Sequence, residues 1–322
     1  MEIDAAADSL PATGVDRTTT SPETRIKKTR VVSARVGLRD RLKEIWASRE
    51  LLFYLVSTEI KVKYKNSALG LVWSMISPAM SLAIFWFVFG FVLKNAYPDF
   101  VIYLFSGLLF WNFFQTGVST ATGVIVGRAG IVKKVAFPRE ILALSAVGTA
   151  GVFLFFQSLV MILFMVVLQY APDWKLLPLL FVALLATALL SSALGIFLSA
   201  TNVYLRDMEH LVDVILTAWF WACPIVYSFW ASLEPHLGPK SLTWIYFLNP
   251  MAPIILTSQR VLYGHPVVQL TSSGHEAFQI LPPWGAMTYL VMDLALVAIG
   301  ALLCLGALLV FSRLEGNFAE EL

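Results

Sequence analysis

The chain has 322 residues, of which 58% are hydrophobic and 14% charged, against roughly 25% charged in an average soluble domain. The 23 basic and 21 acidic residues leave a formal net charge of +2, no nucleic-acid partner is expected, and two cysteines inside apolar runs imply no disulfide framework. A soluble globular domain is excluded, and an all-α integral membrane protein is expected, because the apolar runs are about 20 residues or longer and lack the period-2 alternation of a β-barrel.

Residues 1–37 open the chain with "AAADSLPATGVDRTTTSPET", which has neither an apolar period nor the h-region of a signal peptide and reads as a disordered cytoplasmic tail. Across 38–68, Leu38, Leu42, Ile45, Trp46, Leu51, Leu52, Leu55, Val56 and Ile60 recur at helical spacing among Lys and Arg. That pattern predicts an amphipathic helix, or two, at the membrane interface, with Trp46 and Tyr54 as anchors; a basic flank that only fixes topology is the other reading. Six apolar runs follow, at 69–93, 100–125, 141–170, 176–201, 211–230 and 285–311, which makes 69–311 a six-span region and 312–322 a short cytoplasmic tail. Basic residues crowd between Arg25 and Lys65 and return at Arg128, Lys133, Lys134, Arg139, Arg206 and Arg313, whereas the alternate loops hold Lys94, Lys175, Lys240 and Arg260. Both termini are therefore assigned to the cytoplasm.

Two short inner segments stand out. "GRAGIVKKVAFPRE" (Gly127 to Glu140) places a small basic element between spans two and three, where it can meet a soluble partner. "NVYLRDMEH" (Asn202 to His210) is a short turn with Arg206 beside Asp207 before span five, and a plain polar turn is an equal reading. The external segment between spans five and six contains "LNPMAPIILTSQRVLYG", too short and interrupted for a crossing, and a re-entrant or surface-lying helical pair is expected.

Catalytic and ion-coupled functions find little support. The histidines His210, His236, His265 and His275 lack metal-ligand spacing, so no metal is expected. No G-x-x-x-x-G-K-[ST] sequence occurs, so ATP and Mg, if used, belong to a partner subunit. Asp213 and Asp293 are the only carboxylates within the apolar runs and read as helix-end or lumen-facing groups rather than an ion relay. Aromatic runs are prominent: "FWFVFGF", "YLFSGLLFWNFF" and "TAWFWACPIVYSFW". Core or lipid packing is the ordinary role, but rings around the helix-breaking Pro224 point to several faces. Trp73, Trp86, Phe87, Trp219, Phe220 and Tyr227 are the candidates to present flat faces to a sliding substrate, as rings can to sugars.

From about Leu52 to Leu322 the chain resembles the permease subunit of ABC-2 type exporters, in the branch that moves cell-surface polysaccharides such as O-antigen, teichoic acid and capsule. "EIKVKYKNSALGLVWSMISP" resembles that branch's entry motif, through Lys61, Lys63, Tyr64, Lys65, Ser67, Leu69, Gly70, Trp73 and Pro78; Thr58-Glu59 stands where the family commonly has Arg-Asp. "GIVKKVAFPRE" resembles the coupling helix, "YLRDM" the loop before span five, "LNPMAPII" the external re-entrant segment and "FAEEL" the C-terminal end. The resemblance implies a multi-pass protein of the bacterial inner membrane, a homodimer joined to two copies of an ABC ATPase that bind ATP and Mg, and a lipid-linked polysaccharide as substrate. It implies ATPase coupling through Ile131, Val132, Lys133, Lys134, Val135, Pro138, Arg139, Glu140, Tyr204, Leu205, Arg206 and Asp207. In that scheme Ile131, Val132 and Val135 form an apolar docking face, and Lys61, Lys63, Tyr64 and Lys65 receive the lipid headgroup among the membrane lipids. A permease for a drug or small lipid, and a membrane-embedded glycosyltransferase, are the competing functions.

Overall fold

The computed structural model describes residues 37–92, 99–230, 245–264, 267–268 and 278–322. The expected N-terminal tail lies almost wholly outside the described residues, as do Lys94 and Lys240.

The interfacial region forms two helices, α1 (Leu38–Ala47) and α2 (Arg49–Lys63), joined at Ser48. Trp46, Phe53 and Tyr54 are exposed, as expected of side chains that enter a headgroup layer. The chain then turns through Asn66 and Gly70, both at positive φ, where glycine carries no Cβ penalty. A 3-10 turn (Gly70–Val72) leads into α3 (Trp73–Phe85), which continues as a π-helical stretch over Trp86–Val92.

The remaining helices are α4 (Phe100–Gly127), α5 (Ala129–Val132), α6 (Glu140–Val167), α7 (Leu177–Tyr204), α8 (Met208–Trp221), α9 (Met251–Leu262), α10 (Ala286–Leu314) and α11 (Phe318–Glu321). Between α9 and α10, β1 (Val267–Val268) pairs antiparallel with β2 (Phe278–Gln279), Val267 opposite Gln279. Helix α4 is the hub: 83% of its most apolar stretch is buried, against 11% for the α3 run, so α3 shows most of its surface outward. Small residues let the helices close on the hub. Gly117 of α4 faces Ser191 and Ala150, Gly195 of α7 lies against Ala121, and Gly300 of α10 lies against Leu189.

Five runs are long and apolar enough to cross a membrane: Gly70–Phe89, Phe100–Gly127, Glu140–Val167, Trp174–Tyr204 and Ala286–Asn317. The apolar run over 211–230, expected to bend at the helix-breaking Pro224, leaves the helix altogether. Helix α8 stops at Trp221, short of Pro224, whose ring and missing N–H disfavour helix around it. Its 14 residues rise about 21 Å, too little for a hydrocarbon core of about 30 Å. Irregular chain completes the crossing. Glu209 at the start of α8 meets Gly123 near one end of α4, while the Tyr227 carbonyl accepts from the Tyr103 hydroxyl (2.9 Å) near the other, and α4 rises about 30 Å between them.

Irregular backbone at membrane depth must find internal partners. The Pro224 carbonyl accepts from Gln259 Nε2 (2.8 Å), the Ala222 carbonyl accepts from Asn249 Nδ2 (3.1 Å), and Ser228 donates to the Ile280 carbonyl. The donors Gln259 and Asn249 belong to α9 and its approach. This 12-residue helix is buried on nearly every face against α4 and α7, and is too short to cross. It is a re-entrant helix in geometry. Asp293, read from sequence as a helix-end or lumen-facing group, is instead fully buried in α10.

Candidate functional site: a polar cavity and a basic surface at one end of the bundle

At one end of the bundle, α1, the start of α6 and the end of α10 are locked by charge. Arg41 donates to both Glu140 and Glu315, and Arg139 donates to the Glu315 carbonyl (2.8 Å). Burial alone lowers the guanidinium pKa, but hydrogen bonds and charge from Glu315 and Glu140 outweigh it and hold Arg41 above the usual arginine value. The Tyr204 hydroxyl donates to the Leu314 carbonyl (2.6 Å), and Phe318 packs fully buried against Tyr204 and Phe311.

These contacts sort the coupling residues expected from sequence. Ile131 and Val135 are exposed, with Lys133 and Lys134 beside them, and Leu205, Arg206 and Asp207 are exposed on the neighbouring turn. Val132 is corrected: it is 3% exposed and packs into the chain's own inner core, because the four-residue α5 must anchor one side to stay folded. Glu140 and Tyr204 likewise turn inward, and Pro138 and Arg139 are half-buried. Arg128 pairs with Glu59 of α2, so the family's Arg-Asp position retains an ion-pairing acid here.

Between α3, α4, α6 and α8 lies a cavity of about 470 Å³. Its wall carries hydroxyls and amides from Ser77, Ser81, Asn112, Gln115, Thr116, Gln157 and Thr217, with rings from Phe85, Phe105, Trp111 and Phe220. Asn112 Nδ2 donates to Gln157 Oε1 (3.1 Å) and Trp111 Nε1 to Gln115 Oε1 (2.9 Å), which fixes the amides in place. Toward the inner face the polar strip continues: Ser119 of α4 donates to Asp213 Oδ1 (2.7 Å), and Glu209 lies against Gly123. Asn112, Gln115, Thr116 and Ser119 follow the i, i+3, i+4, i+7 pattern of one helix face, and Glu209, Asp213 and Thr217 step by one turn along α8. That periodicity is legible in the sequence, although the denser aromatic runs mask it.

The six aromatic candidates separate in space. Phe220 lines the cavity, and Trp73, Trp86 and Phe87 are exposed on the outer side of α3 and its extension. Trp219 is corrected to core: its Nε1 donates to Asn249 Oδ1 (2.8 Å) and its ring meets Phe114 and Trp111 edge-on. Tyr227 is half-buried, its hydroxyl 3.2 Å from that of Tyr246 and from the Trp221 carbonyl, away from the cavity wall.

The proposed headgroup residues sit at the α2–α3 elbow. Lys61, Lys63 and Lys65 are exposed, and the Lys63 ammonium lies 4.2 Å from the centre of the Phe153 ring on α6. Partial burial disfavours the cation and lowers its pKa. Phe153 is one helical turn inward of Gln157, so the basic elbow and the inner part of the cavity share one depth.

A multi-pass helical bundle with a short re-entrant helix, an uncharged polar cavity and an exposed basic element at one end is the architecture of a membrane transport subunit. The chain belongs to the ABC-2 type transporter family, whose model matches residues 50–263. It is 32% identical over 225 residues to the O-antigen export system permease protein RfbA of Myxococcus xanthus, covering 70% of this chain and 84% of that one. A Klebsiella pneumoniae protein of the same description is 26% identical over 85% of this chain and 95% of its own length. The polysialic acid transport protein KpsM of Escherichia coli is 21% identical over 64% of this chain and 79% of its own.

Proposed function

We propose that this chain is the membrane subunit of an ABC exporter that carries a lipid-linked cell-surface polysaccharide across the bacterial inner membrane. The observation that carries the reading is the cavity of hydroxyls, amides and rings beside a basic elbow. Amides and hydroxyls exchange hydrogen bonds with sugar hydroxyls, rings stack on sugar faces, and the lysines attract a diphosphate at headgroup depth. The names of the relatives point the same way.

In this scheme two copies associate and each docks one copy of an ABC ATPase, which holds ATP and Mg. The outward apolar surface of α3 and its π-helical extension, with Met80, Ile84 and Phe91 exposed, supports self-association, and the exposed Ile131, Val135, Leu205 and Arg206 support ATPase docking. Both termini lie in the cytoplasm, in keeping with Arg41, Glu140 and Glu315 meeting at one end of the bundle. Residues 38–68 serve as the interfacial entry region and 69–311 as the transport domain. Deleting the gene should trap lipid-linked glycan inside the cell and strip it from the surface. Normal surface glycan in the deletion strain would overturn the assignment.

A further inference from the structure

We propose that Lys63 is the cation that takes the phosphate of a lipid headgroup, and that Arg128 is the positioning residue that keeps it free to do so, by occupying the carboxylate of Glu59. The inference rests on reading the α2–α3 elbow as the headgroup site.

Glu59 and Lys63 stand four positions apart on α2, acid before base, which is the order and spacing in which a helix ordinarily pairs its own charges. Here they do not pair. The Glu59 carboxylate accepts from the Arg128 guanidinium, and Lys63 has no acidic partner among the described residues. The Lys63 ammonium lies instead over the Phe153 ring of α6, 4.2 Å from its centre, with the Tyr64 ring edge-on to the same ring. A ring face holds a cation in place and leaves its charge intact.

Two features seat this arrangement. Gly148 of α6 lets α2 close on it, since a β-carbon there would stand 3.0 Å from the Val56 side chain. Arg128 and Glu59 are both half-buried, so water competes for their contact less than for a surface pair. The charge count follows. With Arg128 in place its charge and that of Glu59 cancel, and the charge of Lys63 is left over for an anion, to which an ammonium gives charge-assisted hydrogen bonds. Without Arg128, the Glu59 carboxylate is one helical turn from Lys63 and both neutralises it and repels a phosphate. Arg128 also stands immediately before α5, so this one carboxylate joins the helix that carries Ile131 to the lysine of the elbow.

The test uses the whole complex, permease with its ATPase, in phosphatidylcholine nanodiscs at low ionic strength. Radiolabelled undecaprenyl diphosphate is the probe, with undecaprenol and inorganic diphosphate as competitors that separate a lipid headgroup from a bare lipid and a free anion. The probe should bind the native complex, Lys63→Gln should weaken it about tenfold, and neither competitor should displace it at equal concentration. Glu59→Gln and Arg128→Gln break the same ion pair and should act differently. Arg128→Gln should weaken binding about three- to tenfold, Glu59→Gln should leave it equal or tighter, and the two together should return to within about twofold of native. Equal losses in both single variants would make the pair a mere brace and overturn the role given to Arg128. A double variant as weak as Arg128→Gln would place Arg128 on the phosphate itself, with the same consequence. If Arg128→Gln yields no folded complex, a loss of binding in Glu59→Gln decides against the proposal by itself. Absence of binding to the native complex, binding that Lys63→Gln leaves unchanged, or displacement by either competitor would overturn the elbow as the headgroup site, and the proposal with it.

Discussion

Arg41 and Glu140 form a buried ion pair although they stand 99 positions apart, one on the first interfacial helix and the other at the start of a membrane span. Glu315, just past the last span, shares the same guanidinium. Three chain segments that no local pattern connects are thus fixed to one another directly beneath the exposed loop that carries Ile131 and Val135. The arrangement fixes that loop, the proposed docking surface, by charge at one end of the bundle.

Removing one partner of this lock should be far more harmful than removing both. Arg41→Ala leaves the fully buried Glu140 carboxylate without its cation, and breaking a buried pair costs about 3 to 5 kcal/mol. Arg41→Met combined with Glu140→Leu and Glu315→Gln removes the charges together and should recover most of that loss. Thermal unfolding in detergent, followed by tryptophan fluorescence, checks the order of the variants. A triple variant less stable than Arg41→Ala would show that the ionic character itself is required.

The docking surface gives a second contrast, between neighbours in sequence. Val135→Asp and Ile131→Asp alter exposed side chains, so the protein should insert and melt normally yet lose copurification with the ATPase. Val132→Asp instead places a charge in the inner core and should lower stability by several kcal/mol before docking is at issue. Copurification retained in both exposed variants would move the contact to another part of the inner face.

Two glycines separate close packing from open space. A β-carbon on Gly195 would lie 2.7 Å from that of Ala121, so Gly195→Ala must push α7 from the hub and should cost about 1 to 3 kcal/mol. Gly306 on α10 has nothing within 4 Å of that point, and Gly306→Ala should be neutral or stabilising by about 0.5 to 1 kcal/mol. Melting temperatures of the pair test the packing of α4 against α7.

Most of the architecture was readable because each long apolar helix announces itself by composition. The re-entrant α9 was readable for the opposite reason, since its segment was apolar but too short. Span five is expected to bend at Pro224, and because its residues stay apolar past Trp221 the composition does not show that the helix ends there. Only Pro224 hinted that the backbone leaves the helix, and the carbonyl partners on Gln259 and Asn249 lie far along the chain. Val132 and Trp219 were misplaced for a related reason: in a chain this apolar, hydrophobicity does not tell an outward side chain from an inward one. What distinguishes the groove is its hydroxyls and amides, which are scarce enough on α4 for their spacing to carry information.

Trp219 and Phe220 are adjacent, equally aromatic and about equally buried, and they should behave oppositely. Phe220 lines the cavity, so Phe220→Leu keeps apolar volume while losing a flat face against a sugar; export should slow several-fold with yield and stability retained. Phe220→Ala should slow it further. Trp219 instead ties α8 to the approach of α9 through Asn249 and fills space between Phe114 and Trp111. Trp219→Leu should lose that hydrogen bond and leave part of a cavity, and Trp219→Ala should cost about 3 to 5 kcal/mol and deplete folded protein. The measurement is lipid-linked glycan retained inside the cell per folded permease, alongside the melting temperature of each variant. Export per folded molecule should be near normal for Trp219→Leu and reduced for Phe220→Leu. If Phe220→Leu exports normally while Trp219→Leu does not, the strand runs on the other side of α8 and the cavity is not its path.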